Sequence, residues 1–81
     1  MLVSAQVSIY PLRQAHFSAD IAEATETFKK HGLTANIGSM RTVISGEDKA
    51  VFEALREVFI QIADKGALVM MTTFSNTCPV G

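Results

Sequence analysis

Leu2-Val3-Ser4-Ala5-Gln6-Val7-Ser8-Ile9-Tyr10-Pro11 alternates apolar and polar side chains along its length. Val3, Ala5, Val7 and Ile9 fall on one side and Ser4, Gln6, Ser8 and Tyr10 on the other, the period-two pattern of a strand with one buried face. The outward face is polar but uncharged, and it ends in an aromatic hydroxyl. This is the clearest strand in the chain, and the rest of the fold is read outward from it.

After it, Ser18 is placed to cap a helix in which Phe17, Ile21, Ala24 and Phe28 form one apolar stripe. Asp20 near the start and Lys29, Lys30 and His31 at the end match the charge preference of the helix dipole, and Gly32 supplies a left-handed stop. Residues 33 to 38 and 41 to 45 read as two short strands joined tightly around Gly38, Ser39 and Met40, a hairpin. Ser45 followed by Asp48 three places later has the form of a capping box. Val51, Leu55, Val58, Phe59 and Ile62 then recur at helical spacing as far as Lys65, with Gly66 as the stop. Ala67 to Ser75 reads as the last strand, and residues 76 to 81 as an irregular tail.

The order strand, helix, strand, strand, helix, strand contains two crossover units, each expected to be right-handed, so both helices land on one face. The predicted fold is α+β: a single ferredoxin-like βαββαβ domain over residues 1–81, an antiparallel four-stranded sheet with two helices on one face. The opposite face stays open. Alternation puts Gln6, Ser8 and Tyr10 there from the first strand and Val69, Met71, Thr73 and Ser75 from the last. Half neutral hydrogen-bonding groups and half methionine and valine, such a face suits a second sheet, a flat ligand, or both.

Composition narrows the partners. A domain of 81 residues buries only roughly 60% of the surface its unfolded chain exposes. With 48% hydrophobic and 19% charged residues, it gains by covering apolar surface with another copy. A homo-oligomer, dimer or tetramer, is therefore expected. Seven basic against eight acidic residues give a formal charge of −1, which offers no attraction for nucleic acid. No apolar run reaches the roughly 20 residues of a membrane span. The single Cys78 cannot close an intrachain disulfide and the N-terminus has no leader pattern, so a cytoplasmic location is expected.

The five glycines form no phosphate-cradling motif, and His16, His31 and Cys78 lack the close spacing of familiar zinc ligands. Neither a metal nor a cofactor is expected. The polar residues that can be placed together are hydroxyls and an amide with no carboxylate among them, so no nucleophile has a base, and binding is favoured over catalysis. Taken alone, Ser8 and Tyr10 also fit an ordinary solvent face, and Met70 and Met71 fit a core or dimer gap.

Four blocks speak further: Ser8-Ile9-Tyr10-Pro11, Thr42-Val43-Ile44-Ser45-Gly46, Val51-Phe52-Glu53-Ala54 and Thr73-Phe74-Ser75-Asn76-Thr77-Cys78-Pro79. In this order they resemble the YkoF-like family nearly end to end. The third of the strand segments, continued by Glu47, is also similar to the T-V-I-E-G-E pattern of small thiamine-binding domains, with Ser45 in place of the first glutamate. The resemblance implies binding of thiamine or its hydroxymethylpyrimidine moiety, a role in vitamin uptake or salvage, and association with a transporter system. It also implies a homodimer standing in for the family's tandem repeats. The ligand-binding residues it nominates are Ser8, Tyr10, Thr42, Thr73 and Ser75. Hydroxyls meet either a donor or an acceptor on an aminopyrimidine edge, and the Tyr10 ring can stack on a heterocycle. Arg41 would repel a cationic ligand, and so either points away or favours an uncharged pyrimidine or a phosphorylated form.

Three other readings compete. An acylphosphatase-type enzyme shares the topology but needs an anion-cradling loop, and Pro11-Leu12-Arg13-Gln14-Ala15-His16 has an arginine and no glycine. A regulatory module would bind another small effector, and a plain oligomerisation domain would bind none.

Overall fold

Six elements follow in the order β1 (Leu2–Pro11), α1 (Phe17–Lys30), β2 (Thr34–Ile37), β3 (Thr42–Glu47), α2 (Asp48–Ala63) and β4 (Leu68–Ser75). The computed structural model describes residues 1–12, 17–38 and 41–77, and the side chains of all of these except Phe17. The strands form one antiparallel sheet in the order β2-β3-β1-β4. With two helices packed on one face, this is the ferredoxin-like arrangement.

The alternation in β1 explains the core. Val3, Ala5, Val7 and Ile9 are all buried beneath the helices, together with Ile44 of β3 and Leu33 just before β2. From α2, Val51, Ala54, Leu55, Val58 and Ile62 recur every three or four residues and close over them, while α1 contributes Ala24 and Phe28. Asp20 is buried in the same α1 stripe at 1% exposure, where its Oδ1 accepts a hydrogen bond from Lys65 Nζ at 3.0 Å. A buried carboxylate requires such a partner, because desolvation otherwise disfavours its charge.

The element boundaries correct the sequence reading at three points. Ser45 does not cap α2: β3 runs on to Glu47 because it pairs with β1 as far as Leu2↔Glu47. The N-cap residue is Glu47, which makes no side-chain capping bond; the Met1 carbonyl instead accepts the Asp48 N–H at 2.9 Å. Ser45 directs its hydroxyl across the sheet to Ser4 Oγ, 3.2 Å away. At the other helix, α1 starts at Phe17, so Ser18 lies inside the first turn rather than at the cap. Finally, α2 ends at Ala63, two residues short of Lys65, and its last turn is closed by Lys65 N–H to Ile62 O and Gly66 N–H to Ala63 O.

Two glycines answer to local geometry. Gly32, at φ +77°, provides the left-handed turn that ends α1. Gly46 lies under Leu33, where a Cβ would run into the leucine side chain. The β2–β3 hairpin is closed by Gly38 N–H to Arg41 O at 2.7 Å, which extends the ladder one step beyond Ile37↔Thr42. The loop ahead of α1 from Arg13 to His16 and the end of the tail, including Cys78, lie outside the described residues.

Candidate functional site

Strand register lays out the open face residue by residue. Ser4 of β1 is opposite Ser45 of β3 and Ser75 of β4, and Ser45 is in turn opposite Thr34 of β2. One row of four hydroxyls therefore crosses the whole sheet. The next row reads Asn36, Val43, Gln6 and Thr73: two amides, a hydroxyl and one apolar side chain. No charged residue stands in either row. Beyond them Met71 lies opposite Ser8 and Val69 opposite Tyr10, so the face changes from polar to apolar along β1 and β4.

Between the two rows is a shallow depression of about 20 Å³ lined by Ser4, Ala5, Gln6, Val43, Thr73 and Ser75. That volume is close to what a single water requires. It admits one small group, such as an exocyclic amine or a methyl, while the ring carrying that group would lie on the sheet. Ser4 is only 7% exposed, confined between its two hydroxyl-bearing neighbours and held by Ser45. Ser75 Oγ is 2.8 Å from Thr77 Oγ1 and accepts the Thr77 N–H at 3.1 Å, which fixes the rim at the end of β4.

Of the nominated residues, Thr73 and Ser75 line this depression. Ser8 and Tyr10 share its face but stand toward the apolar end, where Tyr10 is 42% and Met71 62% exposed. Thr42 does not join them. It pairs with Val7, a residue of the helix-facing set, so alternation puts it on the opposite side of the sheet. Sequence reasoning puts Ser4 and Gln6 on the outward side of β1 without nominating them; it misses Ser45, Thr34 and Asn36, whose facing needs the register that the expected helix cap at Ser45 obscures.

Arg41 directly precedes β3 and is exposed, its carbonyl accepting the Gly38 N–H; extending the β3 alternation one step past the Val7↔Thr42 pair assigns it to the open face, level with Ser8. At the far end of the same strand Glu47 accepts a hydrogen bond from the N-terminal amine at 3.0 Å, and Asp48 lies 3.5 Å from that amine. Both carboxylates hold the amine's pKa above its ordinary value, the Glu47 hydrogen bond being the largest cause. Among the described residues no group of three or more His, Cys, Asp and Glu could hold a metal ion. No helix among them is long and apolar enough to cross a membrane.

Known structures resemble this fold closely. A hypothetical protein from Methanocaldococcus jannascii superposes with a TM-score of 0.84 at 28% identity, over 95% of this chain and 81% of that one. A protein from Streptococcus pneumoniae gives 0.83 at 18% identity, over 95% and 88%. A Thermotoga maritima protein, described provisionally as one of thiamine biosynthesis or salvage, gives 0.79 at 15% identity, over 95% and 85%. No curated protein matches the chain. The model of one family, the YKOF-related family, matches residues 2–81.

Proposed function

Because the chain belongs to the YKOF-related family, we propose that it is a binding protein for thiamine or its hydroxymethylpyrimidine moiety, and not an enzyme. The observation that carries this reading is the pair of neutral polar rows across the open face, with a depression the size of one exocyclic group between them. An aminopyrimidine presents an amine donor and ring-nitrogen acceptors in one plane. Serine, threonine, asparagine and glutamine side chains supply both complements with no charge to desolvate. The provisional role of the Thermotoga maritima protein in thiamine biosynthesis or salvage points the same way.

A ligand lying on so shallow a site needs a cover, and the exposed Tyr10, Val69 and Met71 beside it need one too. Both needs are met by a second copy packed face to face. Association with an uptake system in the cytoplasm belongs to the same reading. Isothermal calorimetry with thiamine and with hydroxymethylpyrimidine tests it: saturable binding of either supports the proposal, and heats of dilution for both reject it.

A further inference from the structure

The two charges on the open face are not equivalent. Glu47 is neutralised by the N-terminal amine, whereas Arg41 has no such partner among the described residues. All eight carboxylate side chains of the sequence lie among the described residues, and their ion pairs are with the N-terminal amine, Lys30, His31 and Lys65; none is with Arg41. Glu47 is six residues farther along β3, about 20 Å at the rise of a strand, too distant to neutralise the guanidinium. Among the described residues, the neutral polar face thus carries one positive charge without an ion-pair partner, Arg41.

Its position is specific. Arg41 stands two residues from Val43, a wall of the depression, so the two are separated by about 7 Å along the strand. That is the reach from one edge of a six-membered heterocycle to a phosphoryl group carried on the opposite edge. Tyr10 is a diagonal neighbour across β1, next to Ser8, and offers a phenolic O–H donor at the same end. A guanidinium binds phosphate oxygens through two parallel N–H bonds, which a neutral hydroxymethyl group cannot match.

Building on the proposed pyrimidine site, we infer that Arg41 selects a phosphorylated ligand: a planar nitrogen heterocycle lies on the Gln6 and Thr73 row and its phosphomonoester meets the guanidinium. The test is calorimetry of wild type, Arg41→Gln and Arg41→Lys with hydroxymethylpyrimidine, its phosphate monoester and inorganic phosphate. Wild type should bind the ester roughly ten- to a hundredfold tighter than the free alcohol. Arg41→Gln should erase that gap without changing affinity for the alcohol, and Arg41→Lys should keep part of it. Equal affinities in wild type, or a preference that survives Arg41→Gln, overturn the inference and leave the pyrimidine reading standing. Inorganic phosphate binding as tightly as the ester would also overturn it, by showing a free anion site. Failure of both pyrimidines to bind removes the underlying reading and this inference together.

Discussion

Thr73 illustrates how one side chain can test a site made of many weak contacts. It is exposed, sits opposite Gln6, and lines the depression without belonging to the helix-side core. Thr73→Val keeps the shape and removes the hydrogen bond, so affinity for hydroxymethylpyrimidine should fall by about 1–2 kcal/mol with folding unchanged. Calorimetry on the folded variant measures this, and an unaltered affinity would move the ligand off this row. Tyr10 tests a different location. If its ring stacks on the ligand, Tyr10→Ala should cost about 1–3 kcal/mol, and the relative losses at Thr73 and Tyr10 then report whether the heterocycle lies over the polar rows or toward the apolar end.

At the scale of elements, the alternation in β1 and β4 is strong enough to be read directly, because one side of each strand must be apolar to meet the helices. Gln6, Ser8 and Tyr10 beside Thr73, Met71 and Val69 follow from it. The β3 facing is different. Thr42-Val43-Ile44-Ser45 has two β-branched apolar residues in succession, so periodicity gives no clear inner side, and the Ser45-to-Asp48 spacing imitates a helix start. What resolves the ambiguity is tertiary: pairing with β1 carries β3 to Glu47 and the Met1 carbonyl takes the capping role. The hydroxyl row was legible in composition but not in register. Gly46 belongs to this scale, for it lets β3 pass beneath Leu33. Gly46→Ala should destabilise the fold by about 1–3 kcal/mol through overpacking, a loss that chemical denaturation would show as a lowered midpoint with an unchanged slope. The contacts between α1 and α2 add a pH dependence. Glu57 receives hydrogen bonds from His31 and Lys30, the His31 bond being the larger cause, and its pKa is lowered below the ordinary glutamate value. A depressed carboxylate pKa contributes stability that is present above the unfolded value of 4.5 and lost as pH falls through the folded one. Stability should therefore decline below about pH 4.5, with Glu57→Gln flattening that part of the profile. An identical profile in the variant would show that other carboxylates govern the acid limb.

For the whole molecule, the governing fact is that a four-stranded sheet covered on one side leaves the other to find a partner. The open face carries exposed Tyr10, Val69 and Met71 next to its polar rows, and a chain of 81 residues has little further apolar area to bury within itself. Sedimentation at tens of micromolar should give a dimer or larger species, and Met71→Lys, placing a charge on the apolar end, should shift it toward monomer. A wild-type monomer would refute assembly through this face and leave the ligand to bind an uncovered sheet. The charge balance acts at the same scale: among the described residues the only acid on the open face, Glu47, is tied to the N-terminal amine, so an approaching anion meets Arg41 rather than a repelling field.

Titrating isotope-labelled protein with hydroxymethylpyrimidine while following backbone amide shifts asks whether a heterocycle binds on the neutral rows of the open face. Saturable changes are expected, concentrated at Ser4, Gln6, Ser45, Thr73 and Ser75, with the outer surfaces of α1 and α2 unaffected. Shifts confined to the helices, or none at concentrations that saturate a control binder, would contradict binding on these rows.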